Sequence, residues 1–204
     1  METLTEWKTP VQERSRRRFD LILKAAGAEL AEAGWHRFTM ESVAERANGS
    51  IGSVYRYFPN KLSLIAALVD SQNEMLLPVF ETPFDGDRPF EDAVSELIHN
   101  YGAAVRQVPG LLALGRAALV DHDAHELFRS ALGPVRQWIA AALGHRLPKI
   151  DPARIENIAI ILVIAIESLL LFSHQPYAPS REIILRETLL ILRGYINELS
   201  QASP

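Results

Sequence analysis

Residues 39–61, TMESVAERANGSIGSVYRYFPNK, constrain the fold more than any other stretch of this 204-residue chain. They read as two helices of about two turns each, and helices that short do not persist alone in water. Thr39 can N-cap the first, because its hydroxyl can accept an unpaired N–H of the opening turn. Met40, Val43, Ala44 and Ala47 then recur at helical spacing and give one narrow apolar face. Asn48-Gly49 stops that helix, since both residues tolerate a left-handed backbone. Ser50 can cap the second helix, whose inward stripe reads as Ile51, Val54, Tyr55 and Phe58. Pro59 ends it, and Asn60 can cap a third. Both short helices must therefore be packed against another element, at an angle fixed by the tight turn.

That arrangement is a helix-turn-helix, whose second helix enters the DNA major groove. Gly52 and Ser53 are small enough for close approach to base edges, and Arg56 and Tyr57 supply hydrogen-bond donors. Lys61 opens the following helix, where a lysine and free backbone N–H groups both suit a phosphate. Spacing alone does not separate this reading from an ordinary helical hairpin with solvated polar residues.

The runs Ala44-Glu45-Arg46-Ala47 and Ser50-Ile51-Gly52-Ser53-Val54-Tyr55-Arg56-Tyr57-Phe58-Pro59-Asn60-Lys61 resemble the DNA-binding signature of the TetR family of bacterial transcriptional regulators. Ala25-Ala26, Glu29-Leu30 and Gly34-Trp35 are similar to that family's first helix and the turn after it, so the likeness covers about residues 15–68. The family carries glycine and then an apolar residue where this chain has Asn48-Gly49. The turn is therefore expected to be looser or differently shaped. The resemblance implies a dimeric repressor in the bacterial cytoplasm that binds a palindromic double-stranded operator and is released by a small-molecule effector. It implies no catalytic residue, cofactor or metal. Ile51, Gly52, Ser53, Tyr55 and Arg56 are then the residues expected to face bases, and Thr39, Tyr57 and Lys61 those expected at phosphates.

Net charge is −4, which fits a DNA binder only once it is divided along the chain. Residues 8–61 hold ten Lys+Arg against six Asp+Glu, a surplus of four positive charges, so the remainder carries −8. A basic head on an acidic body suits a phosphate-binding module joined to a regulatory domain. The cluster Arg14, Arg16, Arg17 and Arg18 reads either as a solvated helix start or as an arm reaching phosphates or the minor groove. Cysteine is absent, which excludes disulfides, thiolate metal sites and cysteine nucleophiles. METLTEWKTP has no apolar core and does not read as a secretory signal.

The expected fold class is all-α, an N-terminal three-helix helix-turn-helix head followed by a C-terminal helical ligand-binding and dimerisation bundle. Residues 1–13 read as a mobile segment, 14–61 as the head and 62–204 as the bundle. Helices are expected over 16–33, 61–77, 89–108, 111–120, 124–143 with a kink or split at Gly133-Pro134, 152–173 and 181–199. Pro78 to Pro89 and residues 145–150 and 175–179 read as loops. The run IAIILVIAIESLLLF in the penultimate helix is interrupted by Glu167 and Ser168, so a buried helix explains it better than a membrane span. That helix and the last one are apolar over more than one face. Two of each, from two chains, would bury that excess as a four-helix interface.

Asp121-His122-Asp123-Ala124-His125-Glu126 is the cluster with metal-ligand chemistry, and a helical metal-dependent enzyme is the alternative it supports. The ordinary account is a helix cap with acids in the first turn. A dimeric interaction protein without operator binding is the other alternative. Tyr101, Arg116, Phe128, Trp138, Glu167 and His174, polar or aromatic residues among apolar faces, are the candidates for an effector pocket. Each also fits a core or interface role.

Overall fold

The computed structural model describes residues 6–80, 92–93, 95–96, 99–100, 103, 108–172 and 177–201. Among them are helices and no strand: α1 (Glu13–Ala33), α2 (Met40–Arg46), α3 (Ile51–Tyr55), α4 (Lys61–Phe80), α5 (Leu111–Ala117), α6 (His122–Ala131), α7 (Gly133–Arg146), α8 (Pro152–Phe172) and α9 (Arg181–Gln201). The described residues of the expected 89–108 helix are helical up to position 103.

The chain divides into two compact units. The first holds residues 1–76 and 105–131, and so includes α5 and α6 as well as the three head helices and most of α4. The second holds residues 77–104 and 132–204, with α7, α8 and α9.

In the first unit α1 is the platform. Ile22, Ala26 and Leu30 lie on its buried face, which the spacing of three and four residues defines. Val43 of α2, Val54 of α3 and Leu64 and Ile65 of α4 are fully enclosed with them. An ion-pair fork reinforces the α1–α2 contact, Arg46 donating to Glu29 at 2.9 Å and to Glu32 at 2.6 Å. The Pro109-Gly110 turn lies on α1, where a Cβ at Gly27 would stand 3.2 Å from the Pro109 carbonyl oxygen. Gly110 has φ 90°, a left-handed backbone that favours glycine. Gln72 of α4 donates to the same Pro109 carbonyl at 2.8 Å. This is the reason residues far from the head in sequence belong to its unit.

In the second unit α7 packs on α8 and α8 on α9. Ile139, Leu143, Ile155, Ala159, Val163 and Ile196 are buried there. Asp151 caps α8 by accepting from the Arg154 N–H at 3.1 Å, with Pro152 at the first helical position, and Ser180 caps α9 by accepting from Ile183 at 3.4 Å. No helix of the described residues is long and apolar enough to cross a membrane.

Several boundaries differ from the sequence reading. α4 passes the expected stop at 77 and includes Pro78, which forfeits one N–H bond in the last turn of a long helix. The expected loop beyond it falls mostly outside the described residues. Gly133-Pro134 splits rather than kinks: α6 ends at Ala131 and α7 starts at Gly133 with proline in its first turn. Gly144 does not end α7, which runs to Arg146 and closes with the Leu147 N–H on the Leu143 carbonyl at 2.8 Å.

Candidate nucleic-acid interface

The recognition element is built from its caps. Thr39 and Ser42 form a reciprocal capping box at the start of α2, the Thr39 hydroxyl accepting from the Ser42 N–H at 3.1 Å. Asn48 takes φ 50° and closes α2 in the left-handed region. The Ser50 hydroxyl accepts from the Ser53 N–H at 3.3 Å and starts α3. Asn60 and Ser63 form a second reciprocal pair at the start of α4, at 2.8 and 3.1 Å.

α3 is only five residues long, so one turn must be both anchored and presented. Val54 is fully buried, as is Phe58 just past the helix, where its ring lies 4.9 Å from that of Phe19 on α1. Tyr57 is also buried and meets Phe19 edge-on at 5.8 Å. The inward stripe is therefore Val54, Tyr57 and Phe58. Ile51 and Tyr55, read as inward from spacing, are exposed, because the chain leaves the helix after Tyr55 and the turn supplies the anchors instead. Ile51, Gly52, Tyr55 and Arg56 are exposed, with Ser53 half-buried at the edge of that surface. Four of the five residues expected to face bases are thus accessible, and the fifth is partly so.

The residues expected at phosphates are placed differently from one another. Thr39 is exposed at the N-terminus of α2. Tyr57 is 4% exposed, its ring spent on Phe19 and its hydroxyl accepting from Arg56 at 2.6 Å. The Lys61 ammonium turns toward the turn after α1, donates to the Trp35 carbonyl, and lies 3.9 Å from the centre of the Trp35 ring and 5.7 Å from that of Phe38. Burial holds its pKa below the usual lysine value against the opposing pull of Asp121 and Asp123. Lys61→Ala is expected to lower the melting temperature and leave the salt slope of DNA binding unchanged. A slope shallower by about 0.9 would instead give Lys61 a phosphate.

The arginine cluster begins on the first turn of α1 rather than on a free arm. Arg16 donates to the Pro10 carbonyl at 3.1 Å, and Arg17 pairs with Glu13 at 2.5 Å across one exposed turn. Arg18 points inward. Its Nη1 donates to the Ala47 carbonyl at 2.6 Å, and its Nε and Nη2 reach the Ser53 hydroxyl at 3.3 and 3.1 Å.

Residues ahead of α1 are tied down from position 8, whose N–H donates to the Tyr57 carbonyl at 3.0 Å. Beside it, Trp7 lines a cavity of about 380 Å³ with Leu62, Val69 and Asp70 of α4 and Glu126 and Leu127 of α6. The sequence reading missed this cavity. A lone tryptophan in an otherwise polar segment was the signal.

Two acids of the 121–126 cluster are engaged at α6. The Asp121 carboxylate accepts from the Ala124 N–H at 2.9 Å, and that bond first, with a further bond to Trp35, holds its pKa below the usual range. Glu126 pairs with Arg129 at 2.6 Å, which lowers the one and raises the other. Among the described residues no three His, Cys, Asp or Glu side chains are grouped as metal ligands. Of the pocket candidates, Arg116 (exposed, α5) and Phe128 (half-buried, α6) belong to the first unit. Trp138 (half-buried, α7) and Glu167 (buried, α8) belong to the second. Tyr101 and His174 lie outside the described residues.

A five-residue helix capped at its start by Ser50 and anchored on α1 through Phe58 and Phe19 is the architecture of a helix-turn-helix head. Residues 22–68 match the family model of the bacterial regulatory proteins of the tetR family. The match is confined to the head, and the fold is like that of solved TetR-family regulators. The repressor KstR of Mycolicibacterium smegmatis is 36% identical over 64 residues, 31% of each chain. The chain spans about a third to a half of the length of the first curated relatives it matches. A TetR-family regulator from Streptomyces coelicolor has the same fold at 24% identity and a TM-score of 0.65, over 89% of this chain and 99% of that one. So does the multidrug-binding protein EbrR in complex with ethidium, at 20% identity and a TM-score of 0.65, over 86% and 98%.

Proposed function

We propose that this chain is a ligand-responsive transcriptional repressor, acting in the bacterial cytoplasm as a homodimer and not an enzyme. The observation that carries the reading is the α3 surface. Ile51, Gly52, Tyr55 and Arg56 are exposed and Ser53 half-buried, on an element anchored by the buried Val54 and Phe58. Two such helices, one per subunit, read half-sites of a palindromic operator about one helical turn, or a small multiple, apart. Thr39, at the exposed start of α2, is placed for a phosphate. Tyr57 and Lys61 would serve phosphates only after leaving Phe19 and Trp35.

Dimerisation is supported by the second unit. Ile161 and Ile164 of α8 and Leu190 and Ile191 of α9 are 62, 56, 56 and 69% exposed, on helices whose other faces fill the core. Apolar surface of that extent on adjacent helices marks an interaction site. The effector is a small molecule held in the second unit, with Trp138 and Glu167 among its contacts. The relative bound to ethidium supports this class of ligand. Such a molecule releases DNA only by binding unequally to two arrangements of the dimer.

Selection from random duplex DNA, followed by titration with salt, tests the reading. An inverted repeat bound selectively, with a steep salt slope, is expected. Binding without sequence preference would overturn it. Arg56→Ala is expected to relax preference at one position of each half-site by about 1–3 kcal/mol.

A further inference from the structure

We propose that Arg18 is a positioning residue for the recognition helix, and that Gly49 is glycine to make room for it. The inference rests on the DNA-binding reading. One guanidinium leaves α1, donates to the carbonyl of Ala47 at the end of α2, and reaches the hydroxyl of Ser53 on α3. It therefore bridges both sides of the turn that sets the angle between the two short helices. A Cβ built on Gly49 would stand 1.6 Å from Nη2 and 2.5 Å from the guanidinium carbon of Arg18. The guanidinium thus fills the volume that a side chain at position 49 would take. Gly49 is not needed for its backbone, since Asn48 is the residue of this turn with positive φ. A planar fork with several fixed N–H donors does this work, and the point charge of a lysine does not reproduce it.

The obstructing atoms belong to the far end of a flexible side chain. A Cβ at 49 should therefore displace the guanidinium rather than break the backbone, and Gly49→Ala should reproduce the loss of Arg18. The test compares the wild-type chain with Arg18→Ala, Arg18→Lys, Gly49→Ala and the Arg18→Ala/Gly49→Ala double variant. Thermal melting and binding to a selected inverted repeat are measured for each, the latter across salt concentrations.

Both single alanine variants are expected to melt about 3–6 °C lower and to bind the repeat about tenfold more weakly, with the salt slope unchanged. Arg18→Lys should not restore either property. The double variant should be no worse than the poorer single one, because both remove the same bridge. Additive losses, or a neutral Gly49→Ala, would overturn the bridge. A slope shallower by about 0.9 in Arg18→Ala would make Arg18 a phosphate contact instead. A wild-type chain that selects no sequence would overturn the DNA reading and the positioning role with it. The melting cycle needs no DNA and so tells that failure from failure of the bridge.

Discussion

Phe58→Ala is expected to remove about 3–5 kcal/mol of stability, the usual cost of emptying a fully buried aromatic site. The melting transition of the first unit should fall by about 6–20 °C, using the shift per kcal/mol for a chain of this size. Phe58 has no exposed surface and lies against Phe19 at 4.9 Å and Tyr57 at 6.2 Å, so no water-filled side offers an easy collapse. It sits three residues past the end of α3, which makes it the rear anchor of the recognition helix. Operator binding should therefore fall even at temperatures where the variant remains folded, because α3 would sample other angles. Phe58→Leu keeps more of the volume and should lose less on both counts. A melting shift under about 3 °C for the alanine variant would show that the head does not depend on this ring.

The second large effect concerns the exposed apolar surface of α8 and α9. Ile161→Glu combined with Ile191→Glu is expected to give a monomer by sedimentation at concentrations where the wild-type chain is a dimer. In an interface with two-fold symmetry each substitution appears twice, so the pair places four carboxylates where apolar surface should be buried. Desolvating an unpaired carboxylate costs far more than any remaining apolar contact returns. Operator binding should fall with the dimer, since one head reaches only one half-site. Each head should keep its fold, because the substituted residues are exposed and belong to the other unit. A wild-type chain that sediments as a monomer would overturn the homodimer, and a double variant that still dimerises would move the interface elsewhere.

Caps and short-range periodicity were legible because they are local. Thr39, Ser50, Asn60, Asp151 and Ser180 all occupy the capping positions their types and spacings suggest. The platform face of α1 could be read in the same way, and so could the surplus apolar surface of the last two helices. The inward stripe of α3 could not. A five-residue helix is too short for its period to assign a side, and Tyr57 was drawn inside by Phe19, a residue 38 positions away.

The sequence by itself determined the helical class, the helix-turn-helix order and most helix starts, because each depends on neighbours within a few positions. Tertiary structure decided where long side chains went. Arg18, Lys61 and Glu29 carry charges whose partners lie 17 to 35 residues away in sequence: Ser53, Trp35 and Arg46. No periodicity records such distances. A lysine at the start of α4 suits a phosphate by type and position, and only packing showed its ammonium held at Trp35. Asn48-Gly49 looked like a loosened turn, and only the approach of α1 showed the space above Gly49 filled by the guanidinium of Arg18.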